Sequence, residues 1–490
     1  MIKRSIAWIW GALLPLMLSG SAWGIAPYGS MDDGEFEQFM GALSADPSLM
    51  AKERDYSFRL STQQWDDMVS GLGLTHFTWV YAVTLKGEEL PQLVGGPISD
   101  YSVMAVRAGR LIPIPFQIDE RDTDGWVYEQ GISGDVDGTA GVFDAVDEFV
   151  FMYRDTGGER FDPETMAVPE GRIVDELELS FDGTTRYAYV VKGSSLRDTT
   201  DYVNYDTDRL IADTTFYNFR NNPDNLLIFE DFRANAGPTP EHRVLDTLVL
   251  ELSTGVITRW PRVEVGLPNL QAELVGVKRG PVRDVLKLKI WVVVAGIPVF
   301  RIVTDMTLYD QGIFLPVKLH IPGGEILTRV LNRPIIDIYL DMNDLRGGRF
   351  VAAVNPSGHY HDVDAQETPA EEQQDIHIPD RTWLWLESGR GWDVVLKFDV
   401  PRDWPVEGIG MYEDSVAPEN SYEYEDFPEA LPRFGFRVTK LPVGKLDIDI
   451  TAVLWFPATV GGAGPEGFVQ AMDDPPRFDS VTSSALARAD

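Results

Sequence analysis

Alternating hydrophobic and polar residues over much of the chain predict β-strands. The clearest run is Leu286–Val294, where apolar residues alternate with Lys287 and Lys289, the period-two pattern of a strand with one buried face. Gly- and Pro-containing turns then lead into two more apolar runs, Phe300–Tyr309 and Phe314–Ile321. Together the three runs predict an antiparallel meander.

The same pattern recurs along the rest of the chain. Glu176–Phe181 and Arg186–Lys192 flank an Asp-Gly turn and predict a hairpin. Other runs predict further strands: Phe77–Leu85, Tyr101–Val106, Ile112–Ile118, Phe149–Tyr153, Trp383–Glu387, Val394–Asp399, Phe434–Thr439 and Leu446–Phe456. Because no helical segments alternate with these strands, we predict an all-β fold of two or three antiparallel β-sandwich units.

After the first 24 residues, the predicted organisation has four parts. A partly helical lead-in covers residues 25–75, with helical spacing after Met31 and capping residues from Ser61. A β-rich domain with acidic Asp-Gly loops covers 76–234, and a β-sandwich domain covers 242–460. The latter carries acidic insertions near 355–380 and 412–429, and a loose Gly/Pro-rich tail follows from 461 to 490.

The first 24 residues predict a secretory signal peptide. Lys3 and Arg4 precede an apolar run from Ile6 to Leu18, and small residues including Ala22 and Gly24 follow. An uncleaved anchor is the alternative, although the run is shorter than the ~20 residues of a membrane span. We expect cleavage after Gly24, a periplasmic or extracellular protein, and no transmembrane segment after cleavage.

Charge and cysteine content exclude several classes of function. The net charge of −35 repels phosphate backbones, so we expect no nucleic-acid partner. The chain has no cysteine, which excludes disulfides and thiolate metal sites. The charge suits divalent cations or basic partners, and equally it could serve solubility alone.

Two acidic loops between the strands Ile112–Ile118 and Phe149–Tyr153 suggest a calcium site. Calcium takes six to eight oxygen ligands, and loops with an Asp at every second position before a Gly can converge such oxygens. Ordinary solvated Asp-Gly turns are the alternative. The candidate ligands are Asp119, Glu120, Asp122, Asp124, Asp135, Asp137, Asp144, Asp147 and Glu148.

Two segments carry a resemblance. The stretch from Pro113 to Glu120, the acidic Gly-rich middle, and Phe143–Phe151 resemble a segment of uncharacterised secreted bacterial β-sandwich proteins. The Gly280-Pro281-Val282-Arg283 turn is similar to one in sandwich domains of the galactose-mutarotase-like type. The resemblance implies a sandwich fold and a carbohydrate ligand, and it implies no catalytic residue.

Histidines and tryptophans offer two further candidate sites. His359, His361 and His377, with nearby carboxylates, could bind a transition metal, or they could lie in a solvated loop. Trp383 and Trp385 share one strand face near Arg381 and Glu387, which suits a sugar platform but equally a buried core.

Three functions stay open on the sequence alone. The first is an exported, calcium-stabilised β-sandwich protein that binds a glycan or belongs to a cell-surface or periplasmic assembly. The second is a carbohydrate-active hydrolase or lyase using paired carboxylates, which the sequence does not single out among its 77 acidic residues. The third is a periplasmic His-based metal-binding or redox-accessory protein.

Overall fold

A computed structural model describes most of the chain. The described residues are 31–52, 57, 59–235, 241–256, 262–266, 269–294, 297–321, 331–353, 355, 359–366, 374–376, 382–399, 407–414, 431–440 and 446–482. Within these ranges none of the helices combines the length and the apolar character needed to cross a membrane.

Short helices precede the sheets, as predicted. They are α1 (Asp33–Ala45), α2 (Leu49–Lys52), α3 (Thr62–Gly71) and α4 (His76–Val80). Asp32 and Ser61 each accept a hydrogen bond from the backbone N–H three residues later, which caps α1 and α3. The strand predicted over Phe77–Leu85 is wrong in its first half. Thr75 caps α4 there by accepting from the Thr78 N–H, and a strand begins only at Ala82.

Two small sheets follow the helices. One has the order β1 (Ala82–Lys86), β5 (Glu148–Met152) and β4 (Phe116–Asp119). The other has the order β28 (Arg477–Thr482), β6 (Arg172–Phe181), β7 (Thr184–Lys192), β2 (Tyr101–Arg107) and β3 (Arg110–Pro113). The predicted hairpin is confirmed as β6 and β7, which pair antiparallel around the Asp182-Gly183 turn.

One large sheet combines strands from distant parts of the chain. Its order is β22 (Gln374–Ile376), β25 (Glu407–Glu413), β26 (Arg433–Lys440), β19 (Leu331–Met342), β13 (Glu241–Val256), β12 (Phe232–Ala234), β10 (Tyr217–Asn222), β9 (Ile211–Thr214) and β8 (Val203–Asp206). Off this path, β11 (Asn225–Phe229) pairs with β10, and β14 (Arg262–Val265) pairs with β13. Because β12 pairs with β13, the domain boundary predicted between 234 and 242 falls between neighbouring strands of one sheet.

The second large sheet contains the predicted meander. Its order is β15 (Leu270–Lys278), β16 (Arg283–Val294), β17 (Ile297–Tyr309), β18 (Gly312–Ile321), β27 (Leu446–Trp455), β24 (Asp393–Asp399), β23 (Trp383–Glu387), β20 (Arg349–Ala352) and β21 (His361–Asp362). Strands β16, β17 and β18 are the meander, and they pair antiparallel in sequence order.

The two large sheets share a hydrophobic interior. Leu340 and Met342 from one sheet line the same space as Val394 and Leu454 from the other. One continuous core cluster reaches from the N-terminal helices to the C-terminal segment. The all-β sandwich prediction is confirmed.

Residues 461–482 form a helix and a strand, unlike the loose tail predicted for 461–490. Helix α5 (Gly464–Asp473) buries Phe468, and β28 then pairs with β6. The Gly and Pro residues that suggested a loose segment lie at the start of α5 and just before β28. The two predicted acidic insertions lie mostly outside the described residues.

Candidate functional site

The first acidic loop is a tight turn built by its own aspartate. One carboxylate oxygen of Asp122 accepts hydrogen bonds from the Asp124 and Trp126 N–H groups at 3.1 and 2.9 Å. The Gly125 N–H donates to the Asp122 carbonyl, and Gly125 has a φ of +79° that a side chain would disfavour. The turn therefore reverses the chain and presents Trp126 next to the sandwich.

The second acidic loop lies alongside the first, which in turn contacts a neighbouring strand. The Asp137 N–H donates to the Arg121 carbonyl at 2.8 Å, and the Thr123 N–H donates to the Asp135 carbonyl at 3.0 Å. The Val127 N–H donates to the buried Asp305 carboxylate on β17 at 2.8 Å. The predicted pair of ordered loops thus exists, and it packs against the meander.

Arg283 connects these loops to β16 through a buried ion network. Its Nε lies 2.8 Å from Asp119, and its Nη2 lies 2.5 Å from Glu148. Arg121 also pairs with Glu148. Burial alone would raise the pKa of Glu148, but the two guanidinium groups outweigh it and lower the pKa.

The two segments that carry the sequence resemblance contact each other in this network. The Gln117 side-chain oxygen accepts the N–H groups of Val282 and Arg283, both at 3.0 Å. A Cβ on Gly280 would lie 2.2 Å from that oxygen, so the turn needs glycine there. Asp119 in turn accepts from the Gln117 amide at 2.9 Å, which aligns it with Arg283.

A cleft opens beside this network, and we call it the Trp126 cleft. Its volume is about 390 Å³, within the range of small-molecule sites. Lys318 Nζ lies 4.8 Å from the centre of the half-buried Trp126 ring, a cation–π contact. Charges of both signs surround the indole. The lining includes Lys86, Arg121, Glu148, Arg283, Asp305 and Lys318.

Asp305 is a fixed part of this lining. Lys287 Nζ contacts its two oxygens at 3.1 and 3.3 Å. Burial raises the pKa of Asp305, and Lys287 offsets only part of that effect. With the Val127 N–H also bound, both oxygens of this carboxylate have donors.

The arrangement does not fit the predicted calcium ion. Among the described residues, no group of three or more His, Asp or Glu side chains could hold a metal. Asp119 and Glu148 face guanidinium groups. Backbone N–H groups donate to Glu120, Asp122, Asp144 and Asp147, while the side chains of Asp124, Asp135 and Asp137 are exposed.

Asp147 has backbone partners for both of its carboxylate oxygens. Its two oxygens accept the N–H groups of Arg121 and Asp144 at 3.1 and 2.7 Å. Burial nevertheless raises its pKa to about 6. Calcium binding stays an untested prediction, which the described geometry does not support.

The histidine set is not assembled in the described residues. The His359 side chain is exposed, whereas the His361 ring stacks on Tyr412 at 5.8 Å and its Nε2 lies 3.3 Å from the Asn355 amide. His377 lies outside the described residues. The transition-metal prediction therefore gains no geometric support.

The structure describes three of the four residues of the predicted sugar platform. Trp385 is buried, and its indole N–H donates to the buried Asp393 at 3.2 Å, so it belongs to the core. Trp383 is half-buried, and Glu387 pairs with Arg349. Arg381 lies outside the described residues. The core alternative thus describes Trp385, which has no exposed face for a sugar.

Sequence reasoning missed the aromatic residue of the cleft. Trp126 lies inside the first predicted calcium loop, directly after the Asp-Thr-Asp-Gly segment whose carboxylates suggested calcium. Lys318 lies about 190 residues further along the chain, and only the sheet places it over the indole. The available signal for this site was Lys318 itself, an exposed lysine on a predicted strand of a strongly acidic chain.

Comparisons with known proteins give remote structural matches only. No family model matches the chain, and no curated protein matches it. An alpha-mannosidase from Enterococcus faecalis V583 has a TM-score of 0.39 at 9% identity, covering 82% of this chain and 44% of that one. This chain therefore spans less than half of the mannosidase.

Two smaller structures also match. A proposed mutarotase from Salmonella typhimurium has a TM-score of 0.27 at 11% identity, covering 52% of this chain and 96% of that one. A proposed aldose 1-epimerase from Escherichia coli K12 has a TM-score of 0.26 at 10% identity, covering 51% and 96%. The weak likeness to mutarotase-type sandwiches is found here too, but these scores carry no argument about function.

Proposed function

We propose that this protein binds a glycan in the Trp126 cleft. The supporting observation is the half-buried indole of Trp126 surrounded by fixed charged groups in a cleft of about 390 Å³. Sugars present apolar C–H faces and a rim of hydroxyl groups, so an aromatic ring beside charged donors and acceptors complements both.

The charged groups of the cleft are held in place before any ligand arrives. Arg283 lies between Asp119 and Glu148, and Arg121 also pairs with Glu148. Preorganised donors and acceptors reduce the ordering cost of binding. Hydroxyl groups can then bridge a cation and a carboxylate without rearrangement of the lining.

These same contacts favour binding over hydrolysis. A glycosidase needs one carboxyl group free to give up a proton and a second to act as base or nucleophile. Glu148 is paired with two arginines, and Asp305 is held by Lys287 and the Val127 N–H. Both carboxylates are therefore suited to orienting neighbours.

We also propose export, on the strength of the N-terminal pattern of Lys3, Arg4 and the apolar run. A periplasmic or extracellular location would give access to polysaccharides. Mass spectrometry of the protein secreted by its host should find a mature N-terminus at Ile25. Full-length protein retained in the cytoplasm would contradict this.

The binding proposal is tested by replacing Trp126. A glycan array on the mature protein first identifies the best-bound sugar, and titration calorimetry then measures its affinity. We expect Trp126→Ala to weaken binding at least tenfold, equivalent to about 1.4 kcal/mol. Loss of the indole removes the apolar surface that the sugar would cover.

Trp291→Ala is the matched control. Trp291 is also half-buried, lies on β16 of the sheet that carries Lys318, and has a cation over its ring, since Arg301 lies 5.8 Å from its centre. It is not part of the Trp126 cleft. Equal losses in the two variants, or no glycan bound by the unaltered protein, would reject the proposal.

A further inference from the structure

A second cleft lies where the N-terminal helices meet the C-terminal segment. It is bounded by α3, α4, the β6–β7 turn and α5, and its volume is about 860 Å³. We call it the His76 cleft. Its lining shares no residue with that of the Trp126 cleft.

The floor of the His76 cleft is apolar. Phe77 lies 6.1 Å from Phe181 and 5.7 Å from Phe468 between ring centres. Leu74 and Val460 extend this surface. Aromatic and aliphatic side chains from four separate chain segments thus form one apolar surface at the base of an open cleft.

His76 fixes the wall of the cleft. Its Nε2 lies 2.8 Å from Asp66 on α3, and its ring also hydrogen-bonds to the backbone of Thr459. Gly461 has a φ of +76°, and a Cβ there would lie 2.2 Å from the His76 ring. Burial lowers the pKa of His76, although Asp66 partly offsets that effect.

The rim of the cleft is acidic. Among the described residues, Asp66, Asp67, Asp182 and Asp474 line it, together with one arginine, Arg477. Arg477 lies 3.8 Å from Asp474 in a highly exposed pair. The other three carboxylates leave a negative field around an apolar floor, and a ligand that complements both must be basic and apolar together.

We infer that the His76 cleft binds a short basic segment of another protein, with lysine or arginine side chains on the acidic rim and an apolar side chain on the phenylalanine floor. The volume accommodates a few residues, and the wall is already ordered. The strongly acidic surface would also raise the association rate of such a partner at low salt.

Fluorescence polarisation with a labelled five-residue peptide alternating lysine and phenylalanine tests this inference. We expect saturable binding by the mature protein, and at least tenfold weaker binding of the matched peptide with glutamate in place of lysine. Binding should weaken as salt is raised, because exposed charges are screened.

Two variants locate the binding. Asp67→Asn, Asp182→Asn and Asp474→Asn together neutralise the rim without changing side-chain size, and should weaken peptide binding at least tenfold. Ala471→Trp fills the cleft and should weaken it similarly. The control combines Asp33→Asn, Asp208→Asn and Asp224→Asn, exposed residues elsewhere that give the same change in net charge.

The outcomes separate cleanly. Equal losses in the rim variant and the control would mean that the peptide follows net charge alone, which overturns the inference. Unchanged binding in Ala471→Trp would place the peptide outside the cleft and overturn it too. No binding of the lysine peptide, or equal binding of the glutamate peptide, also rejects it.

Discussion

Arg283 is the residue on which the loop–sandwich junction most depends. Its guanidinium contacts Asp119, Glu148 and the Tyr309 hydroxyl at 2.5 to 2.9 Å. All of these side chains are largely removed from water. A buried ion pair contributes modestly to stability when intact, but losing one partner leaves an uncompensated buried charge.

We therefore expect Arg283→Ala to lower the free energy of unfolding by about 3–5 kcal/mol. Arg349→Ala is the control, because Arg349 pairs with Glu387 but is itself 45% exposed, and exposed pairs contribute about 0–1 kcal/mol. Urea denaturation of both variants measures the difference. Similar losses in the two would show that the Arg283 network is not a special contribution.

Asp393 makes a second prediction, on pH. It is buried, and one of its oxygens accepts the Trp385 indole N–H and the Val460 N–H. Burial raises its pKa to about 8. The folded state thus keeps a proton that the unfolded state releases near pH 4. The contribution of Asp393 to the free energy of unfolding therefore falls as the pH rises from about 4 to about 8.

Asp393→Asn should remove that dependence while keeping the amide oxygen as acceptor for both N–H groups. Urea denaturation between pH 5 and pH 8 measures the free energy of unfolding of both proteins. Relative to the unaltered protein, the variant should become more stable as the pH rises, by more than about 1 kcal/mol at pH 8. Parallel curves for the two proteins would contradict the raised pKa.

At the scale of elements, the alternation of apolar residues predicted strands well but could not reveal their partners. The meander of β16, β17 and β18 follows directly from local pattern and turns. The pairing of β18 with β27, 125 or more residues later, does not. It depends on which apolar faces meet, and local periodicity is blind to that.

The candidate site shows the same division. The ordering of the two acidic loops was predictable from Asp-Gly chemistry. That Asp119 and Glu148 would face Arg283 was not, because the arginine comes from a strand some 135 residues beyond Glu148. Carboxylates that suggested calcium in sequence acquire guanidinium and N–H donors in the fold.

The loops give a direct prediction on metal. Because six of the nine candidate ligands accept internal hydrogen bonds or ion pairs, we expect a calcium chelator to leave the melting temperature of the mature protein unchanged. Differential scanning calorimetry with and without added calcium measures it. A rise in melting temperature with calcium, lost in Asp124→Ala, would restore the calcium prediction.

Helix α5 yields the clearest stability prediction for an element. Phe468 is buried and contacts Phe77 edge-to-face at 5.7 Å. We expect Phe468→Ala to lower the free energy of unfolding by about 3–5 kcal/mol. Gln470→Ala, exposed on the same helix, should change it little. An equally mild effect of both would mean that α5 docks weakly, as a loose tail would.

At the scale of the whole molecule, the hydrophobic core provides stability and the two clefts provide candidate binding sites. One hydrophobic core joins the N-terminal helices, both large sheets and α5, so a cysteine-free chain can be held together by burial alone. The His76 cleft opens onto core residues such as Phe77 and Phe468, and the two clefts differ in lining. The Trp126 cleft balances charges around an indole, and the His76 cleft sets acidic groups around an apolar floor.

Glycan binding at the Trp126 cleft is tested most directly by a crystal structure of the mature protein with its best-bound array glycan. We expect sugar density against the Trp126 indole, with hydroxyl groups hydrogen-bonded to Arg121, Glu148 or Lys318. Sugar bound elsewhere, with the Trp126 cleft filled only by water at saturating glycan, would contradict it.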